Sequence, residues 1–337
     1  MRAERYVSTY FEAIGAADTG SAQRQVSDLL EAGLQLDWIV TNVILPAQQL
    51  VGEAWENDTW NVAREHAATG ISEQIIAVLG ATQQELPCAK HLVAACVEHE
   101  QHSLPLRATA TLLRGAGHRL TFLGASVPVA DLRRYVTQVR PDAVLLSCML
   151  AARVPDAERA IRALRGLTTR IIVGGPGFGP EGVWASRFRG EVTAARDATE
   201  VTRLLELPPP AQPFDPLGQP RPVCELDAER IRARRDDLLE HGMAVLGPLS
   251  RADDLFALFL SDSLGHLVDT LVAAVHLDNP AAFVEYLRWL RRVASRRGIP
   301  SAQLDQVLRS WSGQLKGMPK ARRVIGAALK DAAPADT

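Results

Sequence analysis

Two histidines sit beside carboxylates in a way that could hold a metal-bearing ligand. Glu65-His66 follows Trp55 by ten residues, and Glu100-Gln101-His102 comes later, just past an apolar run of strand length. A neutral imidazole is a good ligand for a late first-row metal, and the tautomer that binds is fixed when its other ring nitrogen donates to a carboxylate. Glu100 is placed to be that carboxylate for His102. Further on, Ser147 and Gly174-Gly175 fall at the ends of two more apolar runs. Small residues there would leave a slot for a bulky ligand tail. Together these residues suggest a buried organometallic cofactor. Each also has a plain reading: His102 as a solvated loop histidine, Trp55 as core, Glu65-His66 as an exposed helix pair, and the glycines as turn residues.

The elements that must position these residues can be read from periodicity. Tyr6, Val7, Tyr10, Phe11 and Ile14 mark one helical face, and Val26, Leu29 and Leu30 another, with Asp18-Thr19-Gly20-Ser21 between them as stop and cap. A third helical segment runs from about Leu36 to Trp55, with Pro46 expected to kink it, and a fourth from about Val62 to Ala81. Residues 1–85 therefore read as a four-helix bundle. After Pro87 strands and helices alternate. Leu92–Val97, Leu120–Gly124, Ala143–Cys148, Ile171–Val173 and Glu191–Ala194 are the expected strands, a helix ends at Gly115-Ala116-Gly117, and Pro128 marks the start of another. Residues 88–207 thus predict a flavodoxin-like, doubly wound parallel sheet, which binds ligands at the carboxyl ends of its strands. That is where Glu100, His102, Ser147 and Gly174-Gly175 fall.

Residues 208–224 hold Pro208-Pro209-Pro210, Pro213, Pro216, Pro220 and Pro222 and read as a linker. Residues 225–331 return to helical spacing: Phe256, Phe259, Leu260, Leu264, Leu267, Val268, Leu271 and Val275 share a face until Asp278-Asn279-Pro280 breaks the run. The fold class is multidomain α and α/β, with an all-α C-terminal domain. The net charge of −2 gives no basis for whole-molecule attraction to nucleic acid or an anionic membrane. From Cys224 onward sixteen Lys or Arg stand against fifteen Asp or Glu, so this is no basic nucleic-acid module. Cys88, Cys96, Cys148 and Cys224 match neither a zinc motif nor a disulfide framework. With a polar N-terminus and no long apolar run, the expectation is a cytoplasmic protein with no membrane partner. No nucleophile triad, Walker loop or paired-carboxylate site stands out, so catalysis by the chain is not expected.

The order of helical bundle, Glu-x-His loop, Ser and Gly-Gly resembles the cobalamin-binding modules of methionine synthase and corrinoid proteins, whose loop motif is Asp-x-His-x-x-Gly. The resemblance covers about residues 1–207. It implies that His102 is the lower axial ligand of cobalt, replacing the cofactor's own benzimidazole, and that the nucleotide tail enters beside Ser147, Gly174 and Gly175. Glu100 stands for the motif's Asp and Pro105 for its final Gly. The spacing Trp-x9-Glu-His is similar to the branch in which adenosylcobalamin serves as a light sensor. There Trp55, Glu65 and His66 would enclose the adenosyl group, the indole by stacking and the carboxylate by accepting hydrogen bonds. In repressors of this branch a histidine following the Trp can bind cobalt after photolysis; Glu56 stands there in this chain. Those repressors begin with a DNA-binding domain whereas this chain begins with the bundle, so direct operator binding is not expected.

The segment from Cys224 resembles the C-terminal helical domain of photocobilins, which pair cobalamin with biliverdin. That resemblance implies a bilin site in which His266 and His276 lie near the pyrrole nitrogens. Arg288, Arg291 and Arg292 would meet the propionates, Phe283, Tyr286 and Trp289 would form the walls, and a thioether to Cys224 is conceivable. Each of these residues also reads as ordinary helix core or solvated face. The leading expectation is a light sensor whose cobalt–carbon bond cleavage changes self-association, as a light-dependent homo-oligomer, or binding to a signalling partner. A corrinoid methyl carrier for a methyltransferase is one alternative. A haem-binding sensor on the same fold, with His102 or His66 on iron, is the other.

Overall fold

The computed structural model describes residues 2–167, 170–188, 192–208, 223–247 and 254–331. By contacts the chain forms two compact units, one of Met1–Met149, Asp156–Gly175 and Ala185–Pro213, the other of Leu150–Pro155, Pro176–Trp184 and Phe214–Thr337.

The first unit begins with helices α1 (Arg2–Gly15) and α2 (Thr19–Glu31). Asp18 caps α2 by accepting from the Ser21 amide, which satisfies one of the donors a helix start leaves open. Val26 and Leu29 are buried, while Leu30, expected on the same face, is 40% exposed. Successive helix positions are turned by about 100°, which carries Leu30 off the stripe. The third segment is α3 (Leu36–Ile39), a π turn (Val40–Ile44) and α4 (Leu45–Glu56). The break expected at Pro46 thus takes the form of a π turn. A proline ring crowds the carbonyl four residues back, here that of Asn42, and widening the preceding turn makes room. Helix α5 (Val62–Ala81) starts at Asn61, whose side chain accepts from the Arg64 amide. Tyr10, Ile14, Val26, Ile39, Val43, Ile44, Val51, Ile75 and Ile76 fill the bundle core.

The same unit continues as a five-stranded sheet, β1 (His91–Cys96), β2 (Arg119–Gly124), β3 (Ala143–Ser147), β4 (Ile171–Gly174) and β5 (Thr193–Ala194). Its order is β2-β1-β3-β4-β5 and all its pairings are parallel, the flavodoxin-like arrangement expected from the sequence. Helices α6 (Leu104–Gly115), α7 (Val129–Val139) and α8 (Val154–Leu164) connect the first four strands, and α9 (Ala198–Glu206) follows β5. Val93, Val144, Leu146 and Val173 are almost wholly buried, as strands covered on both faces should be. Glu191 lies outside the described residues.

The second unit is built on α10 (Val223–Arg232), α11 (Arg235–Leu246), α12 (Asp254–His276), α13 (Ala281–Arg296), α14 (Ser301–Gln314) and α15 (Pro319–Lys330). Its core is Leu264, Leu267, Leu271, Phe283, Leu287 and Trp311; the Trp311 indole N–H donates to the Leu238 carbonyl (2.9 Å). Of the Pro-rich stretch, residues 209–222 lie outside the described residues, as do the side chains of Cys224 and Phe256. The backbone of Cys224 belongs to α10. Among the described residues no helix is long and apolar enough to cross a membrane.

Candidate functional site

The carboxyl ends of β1, β3 and β4 come into line at one level: Cys96 pairs in register with Ser147, and Ser147 with Gly174. The loop leaving β1 carries Glu100, which is fully buried. A buried carboxylate must be hydrogen-bonded to be tolerated, and both oxygens of this one accept hydrogen bonds. Its Oε1 receives the His102 amide (3.0 Å) and His102 Nδ1 (2.6 Å), and its Oε2 receives the Met149 amide just past β3 (2.8 Å). With Nδ1–H donated to the carboxylate, a neutral His102 carries its lone pair on Nε2. The ring itself is 55% exposed. The loop therefore holds a half-exposed imidazole in one orientation and in the tautomer that can bind a metal through Nε2. Among the described residues no group of three or more His, Cys, Asp or Glu converges as a metal cage.

Beneath this loop Cys96 is buried, and burial first, then the charges of Glu100 and Glu73, push its thiol up to about 12. It is packing rather than a nucleophile. Ser147 is 5% exposed. Gly175 has φ +105°, and a Cβ there would lie 2.4 Å from the Cys148 carbonyl oxygen; one on Gly174 would lie 3.0 Å from that of Ala195. The strand-end backbone alone therefore demands glycine at 175. Pro105, at the position where the resembling motif has Gly, sits in the first turn of α6, where a missing N–H costs nothing.

Glu65 and His66 are paired near the start of α5, and Trp55 lies near the end of α4. On α5, Glu65 Oε2 accepts from His66 Nδ1 (2.7 Å) and its Oε1 from Thr69 Oγ1 (2.9 Å). Thr69 is also 3.1 Å from Gln48 Oε1 on α4, and Gln48 Nε2 donates to Ser72 Oγ (2.7 Å), which lies 3.2 Å from the Tyr10 hydroxyl. Trp55 follows Gln48 by seven residues, about two helical turns, so both lie on the α4 face turned to α5. Because the two helices run in opposite directions, this places Trp55 level with the first turn of α5, where Glu65 and His66 are. His66 is 72% exposed and Glu65 27%.

Helix α5 also reaches the loop that carries His102. Glu73 accepts a hydrogen bond from Ser103 Oγ, on the residue that follows His102. His66 and Glu73 are seven residues apart on one helical face, separated by about 10.5 Å of axial rise. Gln48, Thr69, Glu73 and the Met149 amide were not among the residues singled out from the sequence. The i, i+7 spacings of Gln48 to Trp55 and of His66 to Glu73 were the signal that could have found Gln48 and Glu73; a backbone amide leaves none.

In the C-terminal unit the expected bilin residues lie along α12 and α13. His266 and His276 are ten residues apart on α12, about 15 Å along its axis. His266 Nδ1 is buried without a hydrogen-bond partner, and burial, then Arg153, lowers its basicity. Tyr286 donates to the Ser263 carbonyl (3.4 Å), and burial raises its hydroxyl well above the usual range. Its ring lies 5.4 Å from that of Trp289. Arg288 is held by Asp331 (2.9 Å) and Arg291 by Asp305 (2.7 Å); Arg292 is exposed. Phe283 is fully buried core.

Residues 90–204 match the family model described as B12 binding domain, and residues 7–79 match a second model of the same description. The HTH-type transcriptional repressor CarH of Myxococcus xanthus is 35% identical over 181 residues, covering 51% of this chain and 60% of the repressor. The repressor CarA of the same organism is 29% identical over 180 residues, covering 52% and 59%. The chain thus spans less than two thirds of the length of these curated relatives. The Methanosarcina barkeri monomethylamine corrinoid protein has a similar fold, with a TM-score of 0.50 at 14% identity, covering 60% of this chain and 97% of that one.

Proposed function

We propose that this chain, whose residues 7–79 and 90–204 match B12 binding domains, is a light sensor that uses adenosylcobalamin rather than an enzyme. The observation that carries the reading is the His102 imidazole, its Nδ1 fixed by the fully buried Glu100 and its ring more than half exposed. Adenosylcobalamin, when bound, supplies a cobalt–carbon bond that visible light breaks. His102 would hold cobalt through Nε2, with Glu100 keeping the ring in the ligating tautomer. Ser147, Gly174 and Gly175 would line the path of the nucleotide tail. Trp55 would give the adenosyl group an apolar face, and Glu65 and His66 would close its polar edge.

Signalling in this reading is a change in how the bundle rests against the sheet, since the bundle carries the upper residues and the sheet loop the lower one. Similarity to CarH and CarA supports a regulatory role; a DNA partner, an oligomeric form or another signalling partner would be the output. Biliverdin binding by the C-terminal helices is a separate arm of the proposal, resting on the resemblance of that segment to photocobilins. It would require Arg288 to leave Asp331 for a propionate. The test is light scattering on protein reconstituted in the dark with adenosylcobalamin and biliverdin, before and after green light. A light-dependent change in mass that Trp55→Ala abolishes supports the reading. Tight cobalamin binding with no response to light, in mass or spectrum, favours a corrinoid methyl carrier, and a red-absorbing band eluting with the protein decides the bilin arm.

A further inference from the structure

Ser103 occupies the N-cap of α6, yet its side chain does not cap it: its backbone is helical (φ −86°, ψ −22°) and no cap hydrogen bond forms. Among the described residues, Asp18, Asn61 and Asp197 at comparable positions all accept from a backbone amide of their own helix. Serine is a favoured cap because its oxygen meets one of the open amides of a helix start. Here the hydroxyl is turned instead to Glu73 on α5. A second group on α6 also faces this carboxylate. Arg107 Nε forms a long ion pair with Glu73 Oε1 (4.0 Å) and is buried without a hydrogen-bond partner, while its guanidinium rests 4.2 Å over the Phe122 ring.

We propose that Ser103 and Glu73 form a latch that seats the bundle helix on the His102 loop, with the Arg107 guanidinium as a second, longer contact to the same carboxylate. Ser103 gives up its cap in exchange for one charge-assisted bond across the two helices. Ser103 directly follows His102, and His66 shares the Glu73 face of α5, so the latch sets the distance between the upper and lower groups. Ser103 and Glu73 are positioning residues. The inference rests on the reading of His102 as the lower ligand only in its spectroscopic consequence.

Ser103→Asp separates capping from latching: aspartate is as good a cap, but it cannot donate to Glu73 and repels it. Hydrogen exchange on the cofactor-free protein reads the latch alone. Ser103→Asp is expected to slow exchange in the first turn of α6 and to speed it at least about tenfold along α5, the loss of one hydrogen bond to a charged group; Ser103→Thr, which keeps the hydroxyl, should match the wild type. In protein loaded with adenosylcobalamin in the dark, Ser103→Asp should weaken binding and shift part of the visible spectrum to the shorter wavelengths of cobalamin without its lower nitrogen ligand. Unchanged α5 exchange in Ser103→Asp, or a Ser103→Thr variant as perturbed as Ser103→Asp, would overturn the latch. If wild type and His102→Ala give the same spectrum while α5 exchange responds as expected, the latch stands and the His102 reading fails.

Discussion

Glu100→Gln tests the tautomer argument, because it keeps the shape of a buried side chain and removes its charge. The carboxylate accepts from the His102 amide, His102 Nδ1 and the Met149 amide, with no solvent to replace any of them. Glutamine has one oxygen for two positions. If the oxygen stays toward His102, the amide nitrogen confronts the Met149 N–H, donor against donor. Leaving such a buried group unsatisfied costs about 1–3 kcal/mol. If the amide turns round, it faces the His102 amide and forces Nδ1 to accept, which moves the ring proton to Nε2 and takes the lone pair from the metal side. In either arrangement the Nδ1 bond loses its charge assistance. Partners of this kind behind a metal-bound histidine are worth about 10–100-fold in affinity, so cobalamin binding should weaken by about 1.4–2.8 kcal/mol. Urea unfolding of the cofactor-free protein should show a loss of about 1–3 kcal/mol as well. Equilibrium titration with hydroxocobalamin, followed by absorbance, measures the first. Binding within twofold of wild type, with unfolding unchanged, would refute the role given to Glu100.

Gly175→Ala should destabilise the protein by at least about 2 kcal/mol, through a positive φ and a methyl pressed on the Cys148 carbonyl; an unchanged urea midpoint would show that the strand end relaxes freely. Asn61→Ala removes the cap of α5 and should cost about 1 kcal/mol, with faster hydrogen exchange confined to the turn that carries Glu65 and His66. Burial holds the Cys96 thiol and the Tyr10 hydroxyl each up to about 12, so above the ordinary thiol and phenol values the native state keeps protons that the unfolded chain releases. Stability is therefore undiminished by these groups below about pH 9 and falls as pH rises toward 12. A urea midpoint that does not fall from pH 8 to pH 11, in wild type or Tyr10→Phe, would contradict this.

Much of the frame was legible because it rests on local chemistry. Asp18 is a cap residue and acts as one; the β1, β3 and β4 strands are apolar runs bounded by turn residues, and their parallel order follows from the helices between them. Pro46 announced a break, but whether a proline ring is relieved by a bend or a widened turn depends on packing, which periodicity does not encode. The pairing of Glu100 with His102 could be read because both lie on one loop. The Met149 amide could not, because it arrives across the sheet from β3 and carries no side-chain signature. Ser103 was hidden for a different reason: as a serine opening a helix it looks fully explained by capping, and only the structure shows the hydroxyl turned to Glu73. The C-terminal arginines illustrate the opposite limit. Arg288 and Arg291 have the charge a bilin propionate needs, but Asp331 and Asp305, distant in sequence, already hold them.

The most direct test of the account is the visible absorption spectrum of the protein reconstituted with adenosylcobalamin in the dark, recorded before and after green light, for wild type and His102→Ala. The account predicts a dark wild-type spectrum of cobalamin with a nitrogen lower ligand, lost in His102→Ala, and a stable protein-bound photoproduct after illumination. A wild-type spectrum identical to that of His102→Ala, or illumination that yields only free cofactor products, would contradict it.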